Sequence, residues 1–238
     1  MYIASLHSNN ETSKTFKLID KYLKDGEEVD LLILEGFNHS LGASPMSMVT
    51  WANNQGRDGF YEGYETAYAI KVASTKKKIF WGAEPDVEFI IEEAKKYGFG
   101  CRDVLFYFFV QQVFQNKENG VLEGKSIKDF FNSFLQDHLI YFKTVPELTD
   151  FLSWFQIKNK FEFKLEDIDE EVPAPNFRGE LYTQRVSSAI CIIRDRFICT
   201  VIADKMNEQK NVLAIFGGSH WSTQRRALSD TFGEPRFL

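Results

Sequence analysis

Asn211-Val-Leu-Ala-Ile-Phe-Gly-Gly-Ser-His220 is the stretch on which the reading of the whole chain turns. Its apolar run is too short for a helix and stops at two glycines, which predicts a buried strand that delivers His220 at its carboxyl end. Three other predicted strands run straight into a residue able to bind a metal or move a proton. They are Tyr2 to Leu6 ahead of His7, Val29 to Leu34 ahead of Glu35, and Lys78 to Gly82 ahead of Glu84. Groups placed just beyond the carboxyl ends of parallel strands converge on one edge of an open α/β sheet, where such folds bind their ligands. One polar site at that edge is therefore expected to organise the chain.

The segments between these strands fit the same plan. Phe16, Ile19, Tyr22 and Leu23 recur at helical spacing between Ser13 and Lys24, and Asp25-Gly26 closes that helix. Further helices are predicted over Tyr61 to Ser74 and from Pro85 to Tyr97, so three βα units follow one another, the doubly wound pattern. Residues 36–59 lack periodicity and read as a long loop, with or without a short helix, of the kind that serves as a lid. From Cys101 to Gln156 the pattern changes to helices alone, at Arg102 to Gln115, Ile127 to Leu139 and Pro146 to Phe155, with aromatic residues dense at Phe106, Tyr107, Phe109 and Phe114. Leu165 to Glu171 is an acidic run followed by Pro173-Ala-Pro175, which reads as a solvated linker. A long helix over Thr183 to Asn207, the opening strand, a short helix at Ser222 to Phe232 and an extended tail complete the chain. The expected fold class is α/β: one domain over 1–238, its central, largely parallel sheet flanked by helices. An all-helical insertion with its acidic linker, 101–175, is expected to lie over the active edge.

Composition narrows the function. Across 238 residues, 28 Lys and Arg stand against 34 Asp and Glu, a net charge of −6 that lacks the basic footprint of a nucleic-acid binder. Val104 to Phe114, the most apolar stretch, is too short to span a bilayer, and the N-terminus has no signal-like pattern. Cys101, Cys191 and Cys199 are odd in number and show no C-x-x-C spacing, which argues for a reducing compartment, the cytoplasm, and against a thiolate zinc site.

Arg194 stands out among side chains away from the strand ends. Val186, Ile190, Ile193, Phe197 and Val201 define the buried face of its helix, and Arg194 falls inside that face. A buried guanidinium needs an anion, so Arg194 is read either as half of an ion pair or as the holder of a bound anion. Glu65 shares a helix face with Tyr61, Tyr68, Ala69 and Val72 and is open to two readings, dipole complementation or function. His7 and His220, with Glu35 and Glu84, form a nitrogen and oxygen donor set that suits Mn, Co, Zn or Fe. His39 and His138 receive no role. There is no G-x-S-x-G elbow, and Gly217-Gly-Ser219 lacks the lysine of a phosphate loop.

The order of these motifs resembles the TraB/Tiki superfamily, which takes in pheromone-shutdown proteins, the GumN and ChaN groups, Tiki proteases and, more remotely, erythromycin esterase-like enzymes. The resemblance rests on Ala4-Ser-Leu-His7 at the family's first G-x-x-H, Leu34-Glu35-Gly36, and Gly63-Tyr-Glu65 with Ala67, Ala69 and Ala73. It continues through Trp81-Gly-Ala-Glu84 and Arg194-Asp-Arg-Phe-Ile198 at the family's R-N-x-x-M to Gly217-Gly-Ser-His220 at its second G-x-x-H. Ala4, Asp195 and Ile198 depart from the family's Gly, Asn and Met.

The resemblance and the donor set together lead us to expect hydrolysis of a peptide, amide or ester bond in a peptide or small molecule, assisted by a divalent metal. His7, His220 and Glu35 would hold the ion or its water, Glu65 or Glu84 would act as further ligand or base, and Arg194 would hold a substrate carboxylate or the developing oxyanion. The alternatives are a non-catalytic protein that sequesters a peptide or haem, and a metal-independent esterase with a histidine base.

Overall fold

The computed structural model describes residues 1–5, 7–10, 12–24, 29–57, 60–122, 124, 126–208 and 211–233. Leu6 of the first expected strand, the Asp25-Gly26 helix stop and the tail beyond 233 lie outside the described residues. In chain order the elements are β1 (Tyr2–Ser5), α1 (Lys14–Lys24), β2 (Leu31–Asn38), α2 (Met46–Gln55), β3 (Gly56–Arg57), β4 (Phe60–Tyr61), α3 (Tyr64–Thr75) and β5 (Ile79–Glu84). They continue with α4 (Val87–Ala94), α5 (Cys101–Glu118), α6 (Ile127–His138), α7 (Leu148–Asn159), α8 (Tyr182–Glu208), β6 (Val212–Gly217) and α9 (Gly218–Phe232). The protein divides into two compact units, 1–86 with 194–238, and 87–193.

The first unit is α/β. Its four-stranded sheet has the order β1-β6-β2-β5, and every pairing is parallel. Both faces are covered, which is why the strands read as near-continuous apolar runs. Alternation sorts the side chains: Leu32, Leu34, Leu213 and Ile215 pack with Phe16 and Ile19 of α1 and with Ala69, Ile70 and Ala73 of α3. Leu31, Ile33, Val212, Ala214 and Phe216 pack on the opposite face with Ile198, Val201 and Ile202 of α8. Each fully buried Leu, Ile or Phe of these layers contributes about 1.5–3 kcal/mol. The small residues of α3 let that helix lie close on the sheet.

The second unit is helical. Phe106, Phe109, Phe131, Phe134, Phe151 and Phe155 are all buried in one aromatic core. Aromatic residues on more than one face of α5 find partners in α6 and α7, as Phe109 does with Phe131, Phe134 and Phe151. α8 begins in this unit, where Val186, Ile190 and Ile193 are buried, and ends in the first.

Several expectations are corrected. β2 runs on to Asn38, so Glu35 lies within the strand rather than just past it. Residues 36–59 hold the end of β2, the helix α2 and half of a small hairpin; α2 buries only Ala52, so it has no apolar stripe to read. α9 starts at Gly218 rather than Ser222, which places His220 in a first helical turn. The acidic run is no solvated linker, because Ile168 and Val172 are buried in the aromatic core while the acids between them stay exposed. The Lys117 ammonium ties that segment down by donating to the carbonyls of Glu166 and Ile168 at 3.0 and 2.9 Å. The helical unit, 87–193, is wider than the expected 101–175. Among the described residues, no helix is long and apolar enough to cross a membrane.

Candidate active site at the carboxyl edge of the sheet

Glu35 sits at the centre of a polar cluster in the first unit. In β2 it continues the alternation of Leu31 and Ile33, which face α8. Its Oε2 accepts the backbone N–H of Gly217 at 2.6 Å, its Oε1 meets Nε2 of His220 at 3.1 Å, and Nη2 of Arg194 lies 3.7 Å from Oε1. Burial pushes this carboxyl up, but the His220 bond, the Gly217 N–H and Arg194 outweigh it and bring the pKa to about 2.

His220 is clamped between two carboxylates. Nδ1 lies 2.6 Å from Oδ1 of Asp195, while Nε2 faces Glu35. Ionised carboxylates only accept, so both ring nitrogens carry protons and the ring is an imidazolium. Burial alone would lower its pKa; the bonds to Asp195 and Glu35 raise it to about 9. A cation in the first turn of a helix opposes the helix dipole, and the two acids offset that cost. Asp195 is itself braced: Gln224 donates to Oδ1 at 2.8 Å and the Thr223 hydroxyl donates to Oδ2. Burial raises its pKa, and the bonds from His220, Thr223 and Gln224 bring it below the usual carboxylate range.

Arg194 meets Glu84, the last residue of β5. Nε and Nη2 each donate to one oxygen at 2.8 Å, a bidentate pair in which the side chains are 27% and 12% exposed. The ion-pair reading of Arg194 is thus present in the structure, and the pair stands beside Glu35.

His7 approaches from the other side. Its side chain is 56% exposed, and its backbone has φ 24°, an uncommon conformation for a residue with a Cβ, of the kind often found at functional sites. Nδ1 lies 2.6 Å from Oε1 of the buried Glu65, a bond that raises the His7 pKa above its ordinary value. Nε2 points over Gly217: a Cβ there would sit 2.5 Å from Nε2 and 3.3 Å from Oε2 of Glu35. The close approach of His7 to the end of β6 therefore requires glycine at 217. For Glu65, burial raises the pKa, and the His7 bond, a backbone N–H bond and the nearby His7 charge together more than offset it, so the carboxyl lies below its ordinary value.

The expected residues thus divide into groups. Glu35, Glu84 and His220 each offer a ligand atom, all within 4.8 Å of one another. His7 is not in that group, and Glu65 serves His7 rather than the ligand position. Arg194 stands against Glu84 and Glu35. Asp195, Thr223 and Gln224 escaped the sequence reading as site residues, although Asp195 adjoins Arg194 and Gln224 follows His220 by one helical turn. His39 stacks on Trp81, and Nδ1 of His138 bonds the Phe134 carbonyl, so both have structural partners. A cavity of about 390 Å³ lined by Asp20, Tyr61, Tyr68 and Lys71 shares no residue with the cluster. Comparison with known proteins finds no matching family model, no matching curated protein and no matching solved structure.

Proposed function

We propose that the protein is a hydrolase of peptide, amide or ester bonds that uses a divalent metal held by Glu35, His220 and Glu84. The convergence of their three ligand atoms within 4.8 Å carries this reading. The donor set fits such an ion. His220 already has the carboxylate on Nδ1 that metal-bound histidines use, and the proton on Nε2 is the one a metal displaces. With that proton gone, the carboxylates of Glu35, Glu84 and Asp195 exceed the Arg194 guanidinium by two charges, the charge of the ion. Glu84 would share its carboxylate with Arg194. A bound ion would supply Lewis acidity towards a carbonyl oxygen and easier ionisation of water.

The protein's own groups take the remaining roles. Glu65 holds Nδ1 of His7, leaving Nε2 to take a proton from water as general base. Arg194, fixed by Glu84, is placed to stabilise an oxyanion forming beside Glu35. The order of motifs resembling the TraB/Tiki superfamily supports the same chemistry.

Elemental analysis of untagged protein, with hydrolysis of a peptide and ester panel before and after chelation, tests the proposal. It predicts about one Mn, Co, Zn or Fe per chain and activity that chelation abolishes and metal restores. Protein that neither takes up metal nor hydrolyses any of the panel overturns it. The His7–Glu65 pair favours one second reading, a metal-independent esterase; activity that survives chelation but is lost in His7→Ala would select it.

A further inference from the structure

We infer that Asp195 is the positioning residue of this site, locking His220 in the one ring orientation that presents Nε2 to Glu35. A buried imidazole has two orientations related by a ring flip, and hydrogen bonding at Nδ1 selects between them. At His220 that bond goes to Oδ1 of Asp195 at 2.6 Å, and the ring is only 10% exposed.

Asp195 cannot turn away, because both of its oxygens are taken. Oδ1 also accepts from Gln224 at 2.8 Å, and Oδ2 accepts from Thr223. Gln224 is in turn held at its Oε1 by the Tyr2 hydroxyl at 3.2 Å. Asp195 projects from α8, Gln224 and His220 from α9 and Tyr2 from β1, so three elements fix one ring. The competing account is that Asp195 merely ties α8 to α9. That account gives it no influence on the His220 ring, and the two are separable by experiment.

Asp195→Asn removes the charge and keeps the shape. The amide oxygen can still face His220 and Gln224, and its nitrogen would face Thr223. The Thr223 hydroxyl has a second acceptor in the His220 carbonyl at 3.0 Å, so it can turn its proton there and accept from the amide. The variant is therefore expected to fold. The readout is the ring N–H resonances of 15N-histidine-labelled protein, with His220 identified by loss of its signal in His220→Gln. In the wild type we expect a far-downfield, slowly exchanging Nδ1 proton. In Asp195→Asn it moves upfield or exchanges away while the backbone amide spectrum is retained. Thr223→Val, which loosens Asp195 without removing its charge, shifts the proton in the same direction by less, and Thr223→Ser restores it.

A second arm rests on the proposed metal site. Affinity for Mn²⁺ or Zn²⁺ by calorimetry should fall ten- to hundred-fold in Asp195→Asn, the usual effect of losing such a partner. If the wild type binds neither ion, the metal reading fails while the ring proton still decides the role of Asp195. A His220 proton that stays in place in a folded Asp195→Asn overturns the inference. So does one unmoved in Thr223→Val, should the Asn variant not fold.

Discussion

Replacing Gly217 by alanine should leave the protein folded and disable His7. The backbone at 217, with φ −54° and ψ 146°, accepts alanine without strain, and shortening the list of unfolded conformations contributes about 0.4–1 kcal/mol to stability. The new Cβ would lie 2.5 Å from Nε2 and 3.0 Å from Cε1 of His7, distances at which the ring must move. The side chain is 56% exposed, so it can swing out to solvent, but it then gives up its 2.6 Å bond to Glu65. A charge-assisted bond contributes about 1.5–3 kcal/mol, and solvent screening at this exposure reduces that to roughly 1 kcal/mol. Glu65, only 4% exposed, is also left without that partner, so the net loss should be about 2 kcal/mol and Tm should fall by about 4–8 °C. The His7 pKa, now raised by Glu65, should fall back towards its ordinary 6.5, and hydrolysis that depends on His7 should be lost. Thermal unfolding and a proton NMR titration of His7 measure both. A Tm lower by more than about 10 °C would mean that His7 cannot yield. An unchanged His7 titration would mean that the crowding at 217 is not real.

Two other perturbations test the rest of the cluster. Arg194→Ala leaves Glu84, 12% exposed, without its guanidinium and should cost about 3 kcal/mol, partly recovered in the double variant with Glu84→Gln; a loss below about 1 kcal/mol in denaturant titration would show that the pair contributes little. Stability should also peak in mild acid. The His220 pKa is raised from 6.5 to about 9, so its contribution is complete below pH 6.5 and is lost as pH rises through 9. Glu35 is lowered from 4.5 to about 2, so its contribution is complete above pH 4.5 and is lost as pH falls towards 2. A Tm maximum at pH 8 or above would contradict the clamp on His220.

The parallel sheet was legible because its strands are apolar on both faces. Parallel topology also explains why His7, Glu84 and His220, at or just past the ends of β1, β5 and β6, and Glu35, within β2, come to one edge. The pairings within that edge were not legible. Nothing local ties Asp195 to His220 or Glu65 to His7, since each pair joins segments far apart in the chain and depends on which face of its helix meets the sheet. α2 was read only as a loop with or without a short helix, because with one fully buried residue it carries no periodic pattern. The acidic run misled because its charge outweighed Ile168 and Val172, the two residues that anchor it. The order of strands was hidden too, because hydropathy does not reveal that β6 enters between β1 and β2.

That order bears on how the protein is made. β1, which precedes β6 by most of the described chain, pairs with β6 and with no other described strand. Even the terminal ammonium of Met1 is held by the Val212 carbonyl at 2.7 Å, and the Met1 carbonyl by the Ala214 N–H at 2.9 Å. Until residues 212–217 leave the ribosome, β1 has no place to dock and β2 shows an open edge where β6 will lie. Contacts spanning almost the whole chain close slowly, because the loop they complete must be ordered first. A nascent chain therefore waits with β1 unpaired, prey to chaperones and to other edges, until β6 has been made. His7 and His220 come together in the same event, so a chain that stops short of β6 cannot assemble the cluster.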